Sequence, residues 1–237
     1  MTTSLLGARI LLAGATGGLG APLARQLAGR GARLTLVARS DERLAALAAG
    51  LEPAPAVVSA DLVAEGAPDR AVQAAVRAHG GLDGVVFAAG VVAFGSAAEL
   101  DRHTLMTLLQ VNVVTPVQLL RSAYPFLLEA VAAGRSAFMV NISAVVAEQP
   151  MAGLAGYAAS KAALTAFDAA AARELRRARI RLVDARPPHT ETGLVGRPIA
   201  GTAPALPQGL APEAVAARIV QAISDDERDL PSSSFGN

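Results

Sequence analysis

Two side chains four residues apart raise the question of chemistry: Tyr157 and Lys161, in the stretch "GYAASKAAL". Lys161 is the only lysine; the other twenty of the 21 lysine and arginine side chains are arginine, and Tyr157 is one of 2 tyrosines. On a helix, residues four apart share a face, so the ammonium and the phenol point the same way. A phenol ionises near pH ~10, so proton transfer near neutrality asks for a lowering of about 3 units, roughly 4 kcal/mol. A cation ~4 Å away at an effective dielectric of ~20 supplies about 4 kcal/mol. The pair is therefore sized for acid–base work by a tyrosine hydroxyl. A compact ammonium also suits sugar hydroxyls better than a flat guanidinium fork.

A second cluster is Gly14, Gly18 and Gly20 in "AGATGGLGAP", spaced G-x3-G-x-G. Such a turn lets backbone approach a diphosphate and aims the free N–H groups of a helix start at it. Glycines alone would equally serve a plain strand-to-helix turn; their place after the first apolar run points to a dinucleotide. The second apolar run ends in Ala38, Arg39 and Ser40. An acid there would accept the ribose hydroxyls of NAD, whereas a guanidinium pairs with a 2′-phosphate. NADP(H) is favoured and NAD(H) stays admissible, because Arg39 in an arginine-rich chain also fits a solvated surface.

The elements that must position these groups are set by periodicity. Strands are expected at 8–14, 33–39, 54–62, 82–90, 136–143 and 180–187. Helical patterns cover 18–31, the stretch after the capping residue Ser40, 67–80, roughly 101–133 and about 156–178. The strands are continuous apolar runs alternating with helices, which specifies an α/β doubly wound parallel sheet with helices on both faces. About seven strands are expected in a single domain over 1–237, with the tail "DERDLPSSSFGN" as a last edge strand and frayed end. Residues 187–210, dense in Gly and Pro, are too long for a simple connection and read as a substrate loop. Pro116 has no N–H for the carbonyl of Asn112 four residues earlier, so the long helix should kink there, for function or simply for packing.

Taken together these residues resemble the single-domain short-chain dehydrogenase/reductase family, from Gly14 to about Thr192. "YAASK" is similar to its Tyr-x-x-x-Lys, and "AGATGGLGAP" to its dinucleotide turn. The resemblance implies a catalytic set of Asn112, Ser143, Tyr157 and Lys161. Ser143 would hydrogen-bond the substrate oxygen, although alone it also reads as a strand-end serine bonding backbone. The Asn112 carbonyl would hold a water linking Lys161 to solvent. The resemblance places the cofactor against Gly14, Thr16, Gly17, Gly18, Leu19, Gly20, Arg39, Ser40, Asp61 and Leu62. It continues over Ala88, Ala89, Gly90, Tyr157, Lys161, Pro187, Thr190 and Thr192, with Asp61 at the adenine and Thr192 at the nicotinamide amide. Two departures stand out: "FAAG" (87–90) replaces Asn-Asn-Ala-Gly, and Pro188 replaces a glycine after the sixth strand.

The expected reaction is hydride transfer between a nicotinamide and a carbonyl or secondary alcohol. Met151, Leu154, Leu194, Val195 and Ile199 should wall the substrate side, favouring an apolar or bulky substrate, and His189 and Glu191 could add polar contacts. A dinucleotide-sensing regulator and an epimerase or dehydratase with retained cofactor are the alternatives. Cysteine is absent and the three histidines are scattered, so no metal site is expected. A net charge of +1 gives no reason to expect nucleic acid, and no leader or membrane span is read, so a cytoplasmic protein is expected. The alanine-rich helix around Lys161 is apolar on several faces, which suggests a homodimer or homotetramer through the two long helices.

Overall fold

The computed structural model describes residues 2–236. The apolar runs lie side by side as parallel strands: β1 (Arg9–Ala13), β2 (Arg33–Ala38), β3 (Ala56–Ser59), β4 (Gly84–Phe87), β5 (Ala137–Ile142) and β6 (Ile180–Ala185). Their order is β3-β2-β1-β4-β5-β6, every neighbour pairing parallel. The order reverses between β1 and β4, and a crevice opens outside the carboxyl ends of such a pair.

Helices cover both faces: α1 (Gly20–Gly29), α2 (Asp41–Ala48), α3 (Ala67–His79), α4 (Arg102–Leu109), α5 (Thr115–Ala132), α6 (Ala155–Leu175) and α7 (Pro212–Ser224). Leu23 and Leu27 of α1 and Ile219 and Ile223 of α7 pack on one side of the sheet. Ala71, Leu119, Leu127 and Leu175 of α3, α5 and α6 pack on the other. Both faces of β1 and β4 are thereby dry, which is why their sequences do not alternate. Ser40 caps α2 as expected, its hydroxyl accepting from the Arg43 N–H at 3.3 Å.

Three expectations change. The sheet has six strands among the described residues, not about seven. Leu230 makes a single parallel bridge to Ala185, and Ser232–Phe235 then winds into a short 3₁₀ turn. Pro231 lacks the N–H that the next ladder step needs, so the pairing stops there. The pattern over 101–133 is one continuous helical run as expected, but its irregularity is a wide π turn at Gln110–Val114 between α4 and α5, where the Thr115 N–H reaches the Gln110 carbonyl five residues back. Pro116 then sits in the first turn of α5, where a missing N–H is harmless. Finally, α7 lies in a stretch where no helix is expected. Residues 187–210 carry no helix or strand, only a bridge between Thr190 and Leu210.

Candidate active site

The glycine turn follows β1 because side chains cannot occupy it. Gly14 has φ +78°, and a Cβ there would lie 2.5 Å from the Ala89 nitrogen at the end of β4. At Gly18 a Cβ would lie 2.2 Å from the Thr192 carbonyl oxygen, so the loop after β6 closes down on this turn. Gly20 packs in α1 against the Gly14 carbonyl and does not face the crevice.

A cavity of about 850 Å³ runs from this turn across the ends of β2, β4 and β5. Its wall at the glycine-turn end includes Gly14, Thr16, Gly17, Gly18, Leu19, Arg39, Ser40, Asp61 and Leu62. Ala88, Ala89, Gly90, Pro187, Thr190 and Thr192 line its middle, and Ser143, Tyr157 and Lys161 its far end. Met151, Leu154, Leu194, Val195 and Ile199 line that far end as expected, joined by Phe94, Val145 and Leu206. His189 is on the wall too, while Glu191 accepts from the Gly209 N–H at 2.7 Å and ties the loop to itself.

Tyr157 and Lys161 project from α6 toward the same end of the cavity. Tyr157 is 9% exposed and packs among Val92, Phe94, Leu108 and Leu154. Lys161 is 4% exposed; its ammonium donates to the Ile142 carbonyl at 2.8 Å and lies 5.8 Å from the centre of the Tyr157 ring. Burial dominates both groups. It pushes the Tyr157 phenol well above its ordinary value, with no offset from Lys161. It also pulls Lys161 down to about 8, against the attraction of Asp184 and Asp168. Burial, and not the ammonium 5.8 Å from the ring centre, sets the direction of the phenol's shift.

Asn112 is fully buried in the π turn and off the cavity wall. Its Oδ1 accepts from the Val91 N–H at 3.0 Å, and its Nδ2 donates to the Val91 carbonyl and to Ser160 Oγ, each at 3.0 Å. A Cβ on Gly90 would lie 3.4 Å from Asn112 Oδ1 and 3.6 Å from Lys161 Nζ. The end of β4, the π turn and the lysine thus converge, and the side-chain amide braces the strand end.

Ser143 lines the cavity with Tyr157 and Lys161, and its hydroxyl also has partners behind the wall. Its hydroxyl donates to Asp184 Oδ1 and accepts from Thr165 Oγ1 at 3.2 Å. Neither partner lines the main cavity. Its neighbour Ala144, on the cavity wall, packs against the cluster that holds Tyr157 and brings only a methyl.

Comparison with known proteins decides the family: residues 8–200 match the short chain dehydrogenase family. The chain belongs to it. Among its relatives is an uncharacterised oxidoreductase of Staphylococcus epidermidis, 28% identical over 77% of each chain. A hydroxysteroid 11-beta-dehydrogenase 1-like protein of Macaca fascicularis is 34% identical over 73% of this chain and 60% of its own. The 3-ketoacyl-(acyl-carrier-protein) reductase of Brucella melitensis, solved with NADH, superposes with a TM-score of 0.87 at 26% identity, over 96% of this chain and 97% of that one.

In this short-chain dehydrogenase, sequence reasoning missed Arg43 and the charged group behind Ser143. Arg43 lines the cavity beside Arg39 and Ser40, and its guanidinium donates to the Thr16 carbonyl at 2.5 Å. Its spacing, four residues past Arg39 on the first turn of α2, was the available signal. Asp184 and Arg186 lie two apart on and just past β6, two charged residues at alternate positions where the strand ends. Among the described residues no helix is long and apolar enough to cross a membrane.

Proposed function

We propose that this chain is an oxidoreductase that reduces an apolar or bulky carbonyl, or oxidises the corresponding secondary alcohol, with NADP(H) as the favoured nucleotide. The observation that carries the reading is one continuous cavity with Arg39 and the glycine turn at one end and Tyr157 and Lys161 at the other. The residues suit such a nucleotide: the turn leaves no room for a Cβ at Gly14 or Gly18, and Arg39 and Arg43 line the same cavity beside Ser40, two guanidiniums able to pair with a phosphate. When bound, the nicotinamide supplies the hydride that the carbonyl carbon gains or takes the one the alcohol carbon gives up.

The protein's part concerns the oxygen. In reduction the buried Tyr157 phenol, held protonated by its surroundings, is the acid that gives the substrate oxygen its proton. In oxidation the alcohol proton passes to the Tyr157 oxygen, which must first have released its own proton to solvent, a loss that burial opposes. Asn112 keeps the end of β4 in place and leaves Gly90 open toward Lys161. The apolar far end, from Phe94 to Leu206, excludes water and rewards a substrate with apolar surface to bury.

The test is a panel of ketones and aldehydes followed by NADPH and NADH consumption. Apolar ketones should be turned over, NADPH should be preferred, and Tyr157→Phe should lower kcat at least about 10³-fold. Undiminished rates in Tyr157→Phe would end the reading. So would turnover confined to small, highly charged substrates.

A further inference from the structure

The wall of the main cavity is lopsided in charge. Arg39, Arg43, Lys161 and Arg197 line it, and among the described residues Asp61 is the one acidic side chain that does. In a chain of net charge +1, a wall of that sign suits a ligand with more than one negative centre. Arg39 and Arg43 suit a 2′-phosphate and Lys161 stands with Tyr157, which leaves the charge of Arg197 without a part in the reaction.

Arg197 belongs to the loop after β6, and the loop fixes where it stands. Thr192 lies against the glycine turn, since a Cβ on Gly18 would collide with the Thr192 carbonyl oxygen. Gly193 then turns the chain at φ +70°, and the Arg197 N–H closes that turn on the Leu194 carbonyl at 3.0 Å. The side chain folds back: Nε donates to the Gly193 carbonyl at 3.1 Å and Nη2 to the Thr192 carbonyl at 3.4 Å. One carbonyl oxygen thus meets the glycine turn on one side and a guanidinium on the other. Beyond Arg197 the loop is tied again. The Ile199 N–H donates to the Val92 carbonyl and the Phe94 N–H to the Ala200 carbonyl, each at 2.9 Å. Arg197 therefore sits on a span anchored at both ends and is in place beside the glycine turn without a nucleotide to order it.

A guanidinium carries five N–H donors, of which the two carbonyls engage two. Among the described residues every ion pair involves another arginine or His189, so no carboxylate offsets the charge of Arg197. We propose, resting on the oxidoreductase reading, that Arg197 binds the diphosphate of the nucleotide from the loop side. Its remaining donors suit phosphate oxygens, two of which a guanidinium can pair with at once. The diphosphate is common to both nucleotides and the 2′-phosphate is not. Arg197 therefore raises affinity for NADP(H) and NAD(H) alike, while Arg39 and Arg43 tell them apart. An anionic substrate is the competing occupant. The diphosphate is favoured because Arg197 shares the Thr192 carbonyl with Gly18, and because its neighbours on the wall, Leu194, Val195 and Ile199, are apolar.

Binding calorimetry reads the contact without turnover. NADPH, NADH and ADP-ribose all carry the diphosphate, whereas 2′-AMP carries a 2′-phosphate without it. In Arg197→Met the affinity for each of the first three should fall about tenfold, the low end for a charge-assisted hydrogen bond because Arg197 is exposed and screened by salt. The NADPH:NADH ratio should stay as in the native chain. Displacement by 2′-AMP should stay within about twofold of native. Arg197→Gln keeps an amide donor for the Gly193 and Thr192 carbonyls but no charge, and should lose as much as Arg197→Met. A glutamine variant that binds like the native chain would reduce Arg197 to a brace of its own loop and overturn the proposal. An unchanged ADP-ribose affinity in Arg197→Met, with the loss confined to the KM of an anionic substrate, would overturn it too, as would an equal loss of 2′-AMP. A harmless Tyr157→Phe would end the oxidoreductase reading while the ADP-ribose titration still decides Arg197. A native chain that binds neither NADPH nor ADP-ribose overturns both.

Discussion

Arg39 and Arg43 both line the glycine-turn end of the cavity but are held differently. Arg39 is exposed with its guanidinium unengaged by any hydrogen bond or ion pair among the described residues, whereas Arg43 reaches back to the Thr16 carbonyl and braces the glycine turn. A charge-assisted hydrogen bond is worth about 1.5–3 kcal/mol, which is roughly 10- to 150-fold in affinity. Arg39→Asp should therefore lower kcat/KM for NADPH by one to two orders of magnitude and improve that for NADH, because the new carboxylate repels a 2′-phosphate and accepts ribose hydroxyls. Arg43→Ala should weaken both nucleotides, NADPH more. Steady-state kinetics with each nucleotide check this, and an unchanged NADPH:NADH ratio in Arg39→Asp would assign Arg39 to the solvated surface. Arg39 was legible because it ends a strand that the pattern makes obvious. Arg43 was not, because its meaning depends on α2 folding back over Thr16. Ser143 shows the same limit from the other side: its place at the end of β5 is legible, but where its proton points depends on Asp184, 41 residues on.

At the scale of elements, the π turn at Gln110–Val114 is what aims Asn112. A regular helix would rotate that side chain away from Val91 and Ser160, whereas the extra residue per turn faces it into both. Pro116 favours this arrangement, since an α-helical bond from residue 116 to the Asn112 carbonyl cannot form. Pro116→Ala permits that bond and should let the turn tighten. The expected result is a several-fold lower kcat with nucleotide affinity little changed, because the glycine turn and α2 are untouched; a fall in nucleotide affinity alone would contradict it. The sequence carried half of this. A proline four residues after a buried asparagine signals a lost bond, but whether the chain answers with a kink or a π turn is decided by what the side chain meets across the cavity floor. Strands and most helices were legible because dry apolar runs and 3.6-residue periodicity are local signals. The helix Pro212–Ser224 was legible in principle, with proline in its first turn and Val215, Ile219, Val220 and Ile223 on one face, yet it directly follows a Gly/Pro-rich loop that masks its start. The missing seventh strand turns on one residue, Pro231.

For the molecule as a whole, one buried carboxylate ties three neighbouring strands at the end opposite the cavity. Asp83, just before β4, accepts from Arg9 of β1 at 2.6 Å and from Arg135, just before β5, at 2.7 Å. Burial opposes its charge, but the hydrogen bonds from Arg135 and Arg9 outweigh that and hold it at about 2, below the ordinary 3.8. A depressed carboxylate stabilises the fold above its unfolded value and stops doing so as pH falls through the folded one. The contribution is about 2 kcal/mol at pH 7, with roughly 1 kcal/mol gone by pH 3. Urea unfolding at pH 7 and pH 3 should show that loss in the native chain and not in Asp83→Asn; equal pH sensitivity would remove the clamp. The outer surface carries a second whole-molecule feature. Along α6 the exposed positions Ala155, Ala159, Ala163, Ala166 and Ala170 form a stripe of alanines. Beside it, α4 to α5 expose Met106 (50%), Val114 (37%) and Tyr124 (38%). Water-facing helix surface without charge favours burial, and alanines let a second helix approach closely. Two copies related by a twofold axis would lay stripe on stripe, and a long acidic side chain at its centre would meet its own copy across that axis. Sedimentation should therefore find a dimer or tetramer in the native chain and a smaller species in Ala163→Glu, which sits on the outward face and leaves Tyr157 and Lys161 undisturbed; a native monomer would remove the interface.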